Sequence, residues 1–424
     1  MGNAYAGASA VSADSSTVWF NPAGMTELEG AQFTVAGHIL STDTTFSDRG
    51  SRVSTILGGR PVDGDPMADI GDATFLPNLF YTRQLNSKIS YGLGITVPFG
   101  SSTEYDDGWT GRYLAVESSV SVIDINPTIA YRINDKVSIG GGISLQLMEA
   151  TLGSAVDSGA VCASIEAASD QVPAGTCVSS GLVPGMLATD SAAVVDGDST
   201  GLTFNIAALF KPQESTQIGI AYRHSLDHTI EGDSDFDVNP ALTPFVANSG
   251  LFVDGGAEAE ADLPAQLAFS VAHNTSDKLQ LLADVTWTGW SSIEEIRIVF
   301  DNPLQADSPT PLQWQDSLRV SAGANYKLNE KITLRGGLAF DEEVIPSANL
   351  RSPRVPGDDR TWISFGAGYN ISPRVSVDLG FAHLMLDDAP IDNNALDASG
   401  SQVVRGLYDS SVNIFSAQFN WNIK

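Results

Sequence analysis

LRVSAGANYKLNEKITLRGGLAFD, residues 318–341, holds two runs of alternating character with a short polar break between them. In the first run Leu318, Val320, Ala322, Ala324 and Tyr326 alternate with Arg319, Ser321, Gly323 and Asn325. In the second, Ile332, Leu334, Leu338 and Phe340 alternate with Thr333, Arg335, Gly337 and Asp341. A period of two belongs to a β-strand, whose successive side chains point to opposite faces. The break, Leu328-Asn329-Glu330-Lys331, has the chemistry of a tight hairpin.

The same unit recurs on both sides of this stretch. Ile123, Ile125, Ile129 and Tyr131 alternate with Asp124, Asn126, Thr128 and Arg132, and Val375, Val377, Leu379 and Phe381 with Ser376, Asp378 and Gly380. The last run, Val412–Ile423, puts Phe415, Ala417, Phe419, Trp421 and Ile423 on one face. Short polar breaks fall at 85–88, 132–136, 211–215, 274–278, 328–331 and 370–374. Between them lie long breaks rich in Asp, Gly, Ser and Pro, near 47–73, 101–114, 153–198, 232–258, 302–313, 343–359 and 389–404. Six short and seven long connections predict about 14 antiparallel strands, with both chain ends on the short-turn side. That is the layout of a transmembrane antiparallel β-barrel in the all-β class. The apolar face of each strand is assigned to lipid and the charged face to the lumen. Tyr81, Tyr131, Tyr326, Tyr369 and Trp421, near the short turns, fit an interfacial girdle.

Composition agrees. The chain has 424 residues without a linker, only 17% of them charged, and 40 glycines. A net charge of −29 excludes a nucleic-acid partner, which would need clustered Lys and Arg. No run reaches the roughly 20 apolar residues of a membrane helix, an absence that leaves barrels untouched. Met1 leads straight into Gly2-Asn3, the start expected of a mature or truncated chain. Cys162 and Cys177 share one polar loop with no histidine between them, so a disulfide is expected, two free thiols being the alternative.

The first 30 residues differ from the rest. Gly2–Ala8 and Ser15–Met25 are small, weakly charged and end in the turn Asn21-Pro22-Ala23. Such a segment cannot build its own core and must lie inside something larger. In order along the chain, Asn3-Ala4-Tyr5-Ala6-Gly7-Ala8, Trp19-Phe20-Asn21-Pro22-Ala23-Gly24-Met25, Pro98-Phe99-Gly100, Trp109-Thr110-Gly111-Arg112-Tyr113, Asp316-Ser317-Leu318-Arg319 and Pro356-Gly357-Asp358-Asp359-Arg360 resemble the outer-membrane FadL family of fatty-acid and hydrocarbon transporters. The resemblance implies a barrel (31–424) closed by an N-terminal hatch (1–30) carrying Asn21, Pro22 and Ala23. It implies uptake of apolar substrates across the outer membrane of a Gram-negative bacterium, with exit sideways at a distorted third strand.

The residues offer candidates for each step. Gly92, Gly94, Pro98 and Gly100 thin the third strand and remove a ladder donor, unless Pro98 merely ends it. Leu182, Val183, Met186 and Leu187 in one long loop, and Leu242, Phe245, Leu251 and Phe252 in the next, form a capture surface or a core of the loops themselves. Arg223, Arg319 and Arg335 fall on the lumen face with Asp124, Asp284, Asp341 and Asp378. They are either ion-paired or, as Arg319 and Arg335, binders of a substrate carboxylate. Fatty-acid-binding members of the family resembled carry a basic residue where this chain has Gln315, which points toward an uncharged substrate.

No nucleophile elbow, P-loop or zinc-protease motif is present, so no enzyme, cofactor or metal is expected. Asp233-Ser234-Asp235-Phe236-Asp237 lacks the glycine and glutamate of a calcium loop. The expected partners are fatty acids, alkanes or aromatics and outer-membrane lipid, and the chain is expected to be a monomer. A general porin or a surface adhesin is the alternative reading.

Overall fold

The structure is a computed structural model describing residues 1–168 and 172–423. One antiparallel sheet of 20 segments closes on itself, and segments that continue one another form 14 wall-crossing strands. They are β1 (Ala31–Asp48), β2 (Ala73–Gln84), β3 (Ile89–Glu104), β4 (Glu117–Asn134), β5 (Val137–Val156) and β6 (Ser191–Gln213). Then come β7 (Thr216–Arg223 and Leu226–Asp237), β8 (Gly255–Leu263 and Gln266–Asn274), β9 (Leu279–Thr288 and Glu295–Phe300) and β10 (Ser308–Pro311 and Ser317–Lys327). Last are β11 (Ile332–Asp341), β12 (Arg360–Ser372), β13 (Val375–Leu386, extended by Ala389–Asn393) and β14 (Val404–Ile423). β14 pairs with β1 from Ala31↔Ile423 to Asp48↔Gly406. Closure satisfies backbone groups that lipid cannot.

All six short breaks are hairpin turns, and the seven long ones contain the loops at the opposite end, although strand extends into them, as at 191–198, 232–237, 308–311 and 389–393. The faces divide as the alternation predicts. Ile129, Leu338, Phe365 and Leu379 stand about 60% exposed on the outer wall, where lipid rather than water meets them. Asp124, Asn126, Ser144, Asn205, Ser270, Asp284 and Ser364 are buried on the inner face. Tyr131, Tyr326, Tyr369 and Trp421 project outward close to the short turns.

Two places break the wall's regularity. The β2–β3 ladder runs only from Leu79↔Ile95 to Gln84↔Ser90, while β3 goes on to Glu104 beside β4. Residues 73–78 of β2 stay with β1, so the second and third strands separate toward the loops. β3 also carries a bulge: between Thr96↔Asp124 and Phe99↔Val122, Val97 and Pro98 stand opposite the single residue Ile123 of β4. The extra residue inverts the alternation, as bulges do, so Phe99 turns inward beside Val122. The other irregular place is β9, which leaves the ladder between Thr288 and Glu295 opposite an interruption of β8 at Pro264. Proline has no ladder donor there.

Candidate substrate conduit

Residues 1–28 pack against inward faces on several sides of the ring. Wall glycines make the seat. A Cβ on Gly219 would lie 1.8 Å from the Ser9 carbonyl oxygen, one on Gly337 2.2 Å from that of Asn3, and one on Gly140 2.5 Å from the Ala23 nitrogen. Only glycine allows backbone to lie this close to backbone. The two glycines read as part of a side opening also belong to this seat: Gly92 and Gly94 face Val18, and Gly92 faces Met25. Gly100 differs, since it pairs with Ser121 on the outer face and its nearest neighbour would be 3.7 Å away.

The turn Asn21-Pro22-Ala23 is an anchor. Asn21 Oδ1 accepts from Ala23 N at 3.0 Å, and its Nδ2 donates to Ser9 O at 2.7 Å and to Ala208 O on β6 at 3.0 Å. Pro22 opens a 3-10 turn, Pro22–Glu27, where its missing N–H costs nothing. Glu27 then meets Lys211 at 2.5 Å and Arg132 at 3.3 Å.

The lumen arginines are paired. Arg223 lies 3.7 Å from Asp124, Arg319 3.7 Å from Asp284, and Arg335 2.6 Å from Asp378, while Asp341 faces Arg360 at 3.7 Å. Two of them also stack on the N-terminal segment, Arg223 over Trp19 at 3.6 Å and Arg319 over Tyr5 at 5.5 Å. These cation–π contacts were invisible in sequence, because nothing local links Tyr5 to a strand 314 residues away.

Above the segment lies a cavity of about 1280 Å³. Tyr5, Trp19 and Phe20 line its floor, Arg319 and Arg335 its side, and Val97, Pro98 and Phe99 its edge at the separation of β2 from β3. A smaller apolar chamber adjoins it, and Val120, Met148, Ala261 and Ile296 line both.

The two long loops do meet, but largely as a core. Leu182 and Leu242 are fully buried with Cys162, Cys177 and Val246, and Phe245 and Phe252 pack against them. The structure joins Cys162 to Cys177 within this cluster. Val183, Met186 and Leu251 are half-buried, and Leu187 is exposed at the edge. The available apolar surface is therefore smaller than the sequence run implies. Asp233–Asp237 lies in β7, where alternate residues face opposite ways and do not converge on one point. Gln315 sits between the two segments of β10, donating through its side chain to Glu343 O at 3.4 Å.

The wall is closed, the N-terminal segment packs across the lumen, and the cavity above it reaches the split at the third strand. The family model described as outer membrane protein transport protein (OMPP1/FadL/TodX) matches residues 1–423. The chain belongs to this family. Outer membrane protein P1 of Haemophilus influenzae is 30% identical over 91% of the chain and 83% of its own length. A long-chain fatty acid transport protein of Escherichia coli is 25% identical over 91% and 84%. Among solved structures, a FadL homologue from Pseudomonas aeruginosa superposes with a TM-score of 0.86 at 24% identity, covering 100% of this chain and 97% of that one. The Pseudomonas putida toluene transporter TodX gives 0.70 at 19%, covering 96% and 94%. Family membership makes the chain an outer-membrane transport protein of a Gram-negative bacterium.

Proposed function

We propose that the chain takes up uncharged hydrophobic compounds and passes them sideways into the bilayer between β2 and β3. The observation that carries this reading is the ladder's end at Leu79↔Ile95, beside the bulge at Val97-Pro98 and continuous with the lumen cavity. An alkyl or aryl solute leaving there stays in apolar surroundings, whereas an axial exit would return it to water at about 25 cal/mol per Å² of its surface. Capture begins at the exposed margin of the loop cluster around Leu187, and the N-terminal segment acts as the hatch below. Each lumen arginine named above has a carboxylate partner, so a substrate carboxylate must compete for it. This pairing supports hydrocarbons over fatty acids. A general porin fits poorly with a lumen crossed by packed residues.

The test exploits the disulfide, which leaves no free cysteine among the described residues. A Pro98→Cys variant is labelled with a bulky maleimide and placed in vesicles with a lipopolysaccharide outer leaflet. Uptake of a hydrocarbon should fall at least about tenfold on labelling, a barrier change of roughly 1.4 kcal/mol. Unchanged uptake after complete labelling overturns the lateral route in favour of an axial one.

A further inference from the structure

One aromatic contact crosses the lumen where the chamber, the cavity and the wall separation meet. β9 leaves its ladder at Gly289, whose N–H donates to Ala265 O at 2.9 Å, and turns once through Trp290–Ser292. Pairing with β8 resumes only at Ala259↔Ile298. Freed from the ladder, this turn leans inward and Trp290 lines the cavity. Its ring meets Phe99 at 6.1 Å, edge to face at 86°. Trp314 backs it at 5.4 Å and 80°, and the Trp314 amide donates to Ile293 O at 3.1 Å. Phe99 is the residue that the β3 bulge turned inward, and it packs against the buried cluster of Val122, Met148, Ile230 and Leu263. Two irregularities on separate strands, a bulge and an unpaired turn, thus join one ring to another.

We propose that Trp290, closed against Phe99, is the specificity-determining gate of the conduit and favours flat aromatic solutes over alkyl chains of equal carbon number. The proposal rests on the transport reading above. On this proposal a solute moving from the chamber, lined by Met148 and Ile230, to the edge at Val97-Pro98 passes between the two rings, both of which line the cavity it crosses. Parting them forfeits an edge-to-face contact. A planar ring entering the slot restores a ring contact on each side. A saturated chain fills the slot but offers no π-face or aromatic edge to either ring. The barrier is therefore lower for the flat solute by the ring–ring increment.

The experiment compares naphthalene with n-decane, ten carbons each, in the same lipopolysaccharide-faced vesicles. Trp290→Ala should reduce the naphthalene-to-decane uptake ratio about three- to tenfold, chiefly by admitting decane. Trp290→Phe should hold the ratio within about twofold of the parent, because a second aromatic ring keeps the slot. Phe99→Leu, which preserves core volume, should lower the ratio as Trp290→Ala does and serves if the alanine variant fails to fold. An unchanged ratio in a folded, transporting Trp290→Ala or Phe99→Leu protein overturns the gate and leaves the transport reading standing. If the parent admits neither hydrocarbon, both fall together.

Discussion

The N-terminal segment and the loop cover obstruct the same barrel, yet different forces hold them. Over the mouth, Phe46, Trp109 and Tyr408 are buried against one another, with Trp109 edge-on to Phe46 at 5.3 Å and stacked on Tyr105 at 3.9 Å. Arg112, wholly buried, bridges three loops: Nε donates to Asp190 at 2.5 Å, Nη1 to Asp63 O at 2.5 Å, and Nη2 to Tyr113 at 2.9 Å. Inside the lumen the joints are small and polar: Ser9 with Ser270, Ser15 with Thr34, and Thr26 with Ser138, each at 2.7 Å. The segment's apolar contacts are divided among three separate patches: Ala4 with Trp362 and Leu384, Ala6 and Ala10 with Leu282, and Val18 and Met25 with Phe80. Interlocked large side chains resist separation because parting them exposes apolar area and orphans a buried charge. A seat of glycines and hydroxyls parts with less exposure. The contrast places stiffness in the cover and release in the segment.

The largest effect should come from attacking the cover. Arg112→Ala strips the cationic partner from Asp190, which keeps only the Tyr113 hydroxyl at 2.8 Å, and leaves the Asp63 carbonyl without its donor. Removing one member of a buried pair costs about 3–5 kcal/mol. The cover should then open at least about a hundredfold more often, read as the cleavage rate of the 157–190 loop by a protease in detergent-folded protein. The segment should stay protected. If segment and cover loosen together, the two are one cooperative unit and the contrast drawn above fails.

What made the wall legible is also what hid the conduit. Alternation at residues 318–341 and the Asn-led turns are local signals, and they located strands, faces and hairpins before any coordinates. The lumen placement of Arg319 and Arg335 followed from the same period of two. Phe99 was hidden because one extra residue at Val97-Pro98 reverses the parity downstream, and pure alternation cannot register a bulge. Leu182 and Leu242 left capture surface and loop core both open in the sequence, because their burial depends on a partner loop 60 residues away. Gly92 and Gly94 read as a thin wall, and nothing in the sequence showed that their lack of a side chain also seats Val18. Signals for Trp290 did exist: Pro264 and Gly289 each interrupt an alternating run. Their meaning emerged only with Phe99 beside Trp290, because nothing local in the sequence links β3 to β9.

A smaller effect is expected at the seat. Gly219→Ala would put a methyl 1.8 Å from Ser9 O and 2.3 Å from Ser9 C, backbone atoms that cannot swing aside. Overpacking of this kind costs about 1–3 kcal/mol, and here the segment, not the laddered wall, should give way. Proteolysis within residues 1–16 should rise while the barrel keeps its heat-resistant mobility. Gly100→Ala, with nothing closer than 3.7 Å, is the matched control and should change neither. Equal protection in both variants would mean that close backbone approach does not hold the segment.

The finest distinction is between shape and hydrogen bonding in that seat. Ser270 takes the Ser9 N–H at 3.1 Å, meets the Ser9 hydroxyl at 2.7 Å and donates to Asp284. Ser270→Ala removes all three contacts without adding bulk, and Asp284 keeps Thr286 at 2.8 Å and Arg319 at 3.7 Å. The loss should be near that of an ordinary hydrogen bond, about 1 kcal/mol, because water entering beside Ser9 replaces part of what is lost. That corresponds to about a fivefold larger opened fraction. Amide exchange at Ala10 and Val11 reads it, since their own bonds to Gly7 O, both 2.9 Å, survive the substitution. Exchange about fivefold faster in Ser270→Ala, and faster still in Gly219→Ala, would rank fit above polar bonding as the restraint on the segment. The reverse order would make Ser9–Ser270 the latch, and the segment would then be released by breaking one hydroxyl pair rather than by sliding off its glycines.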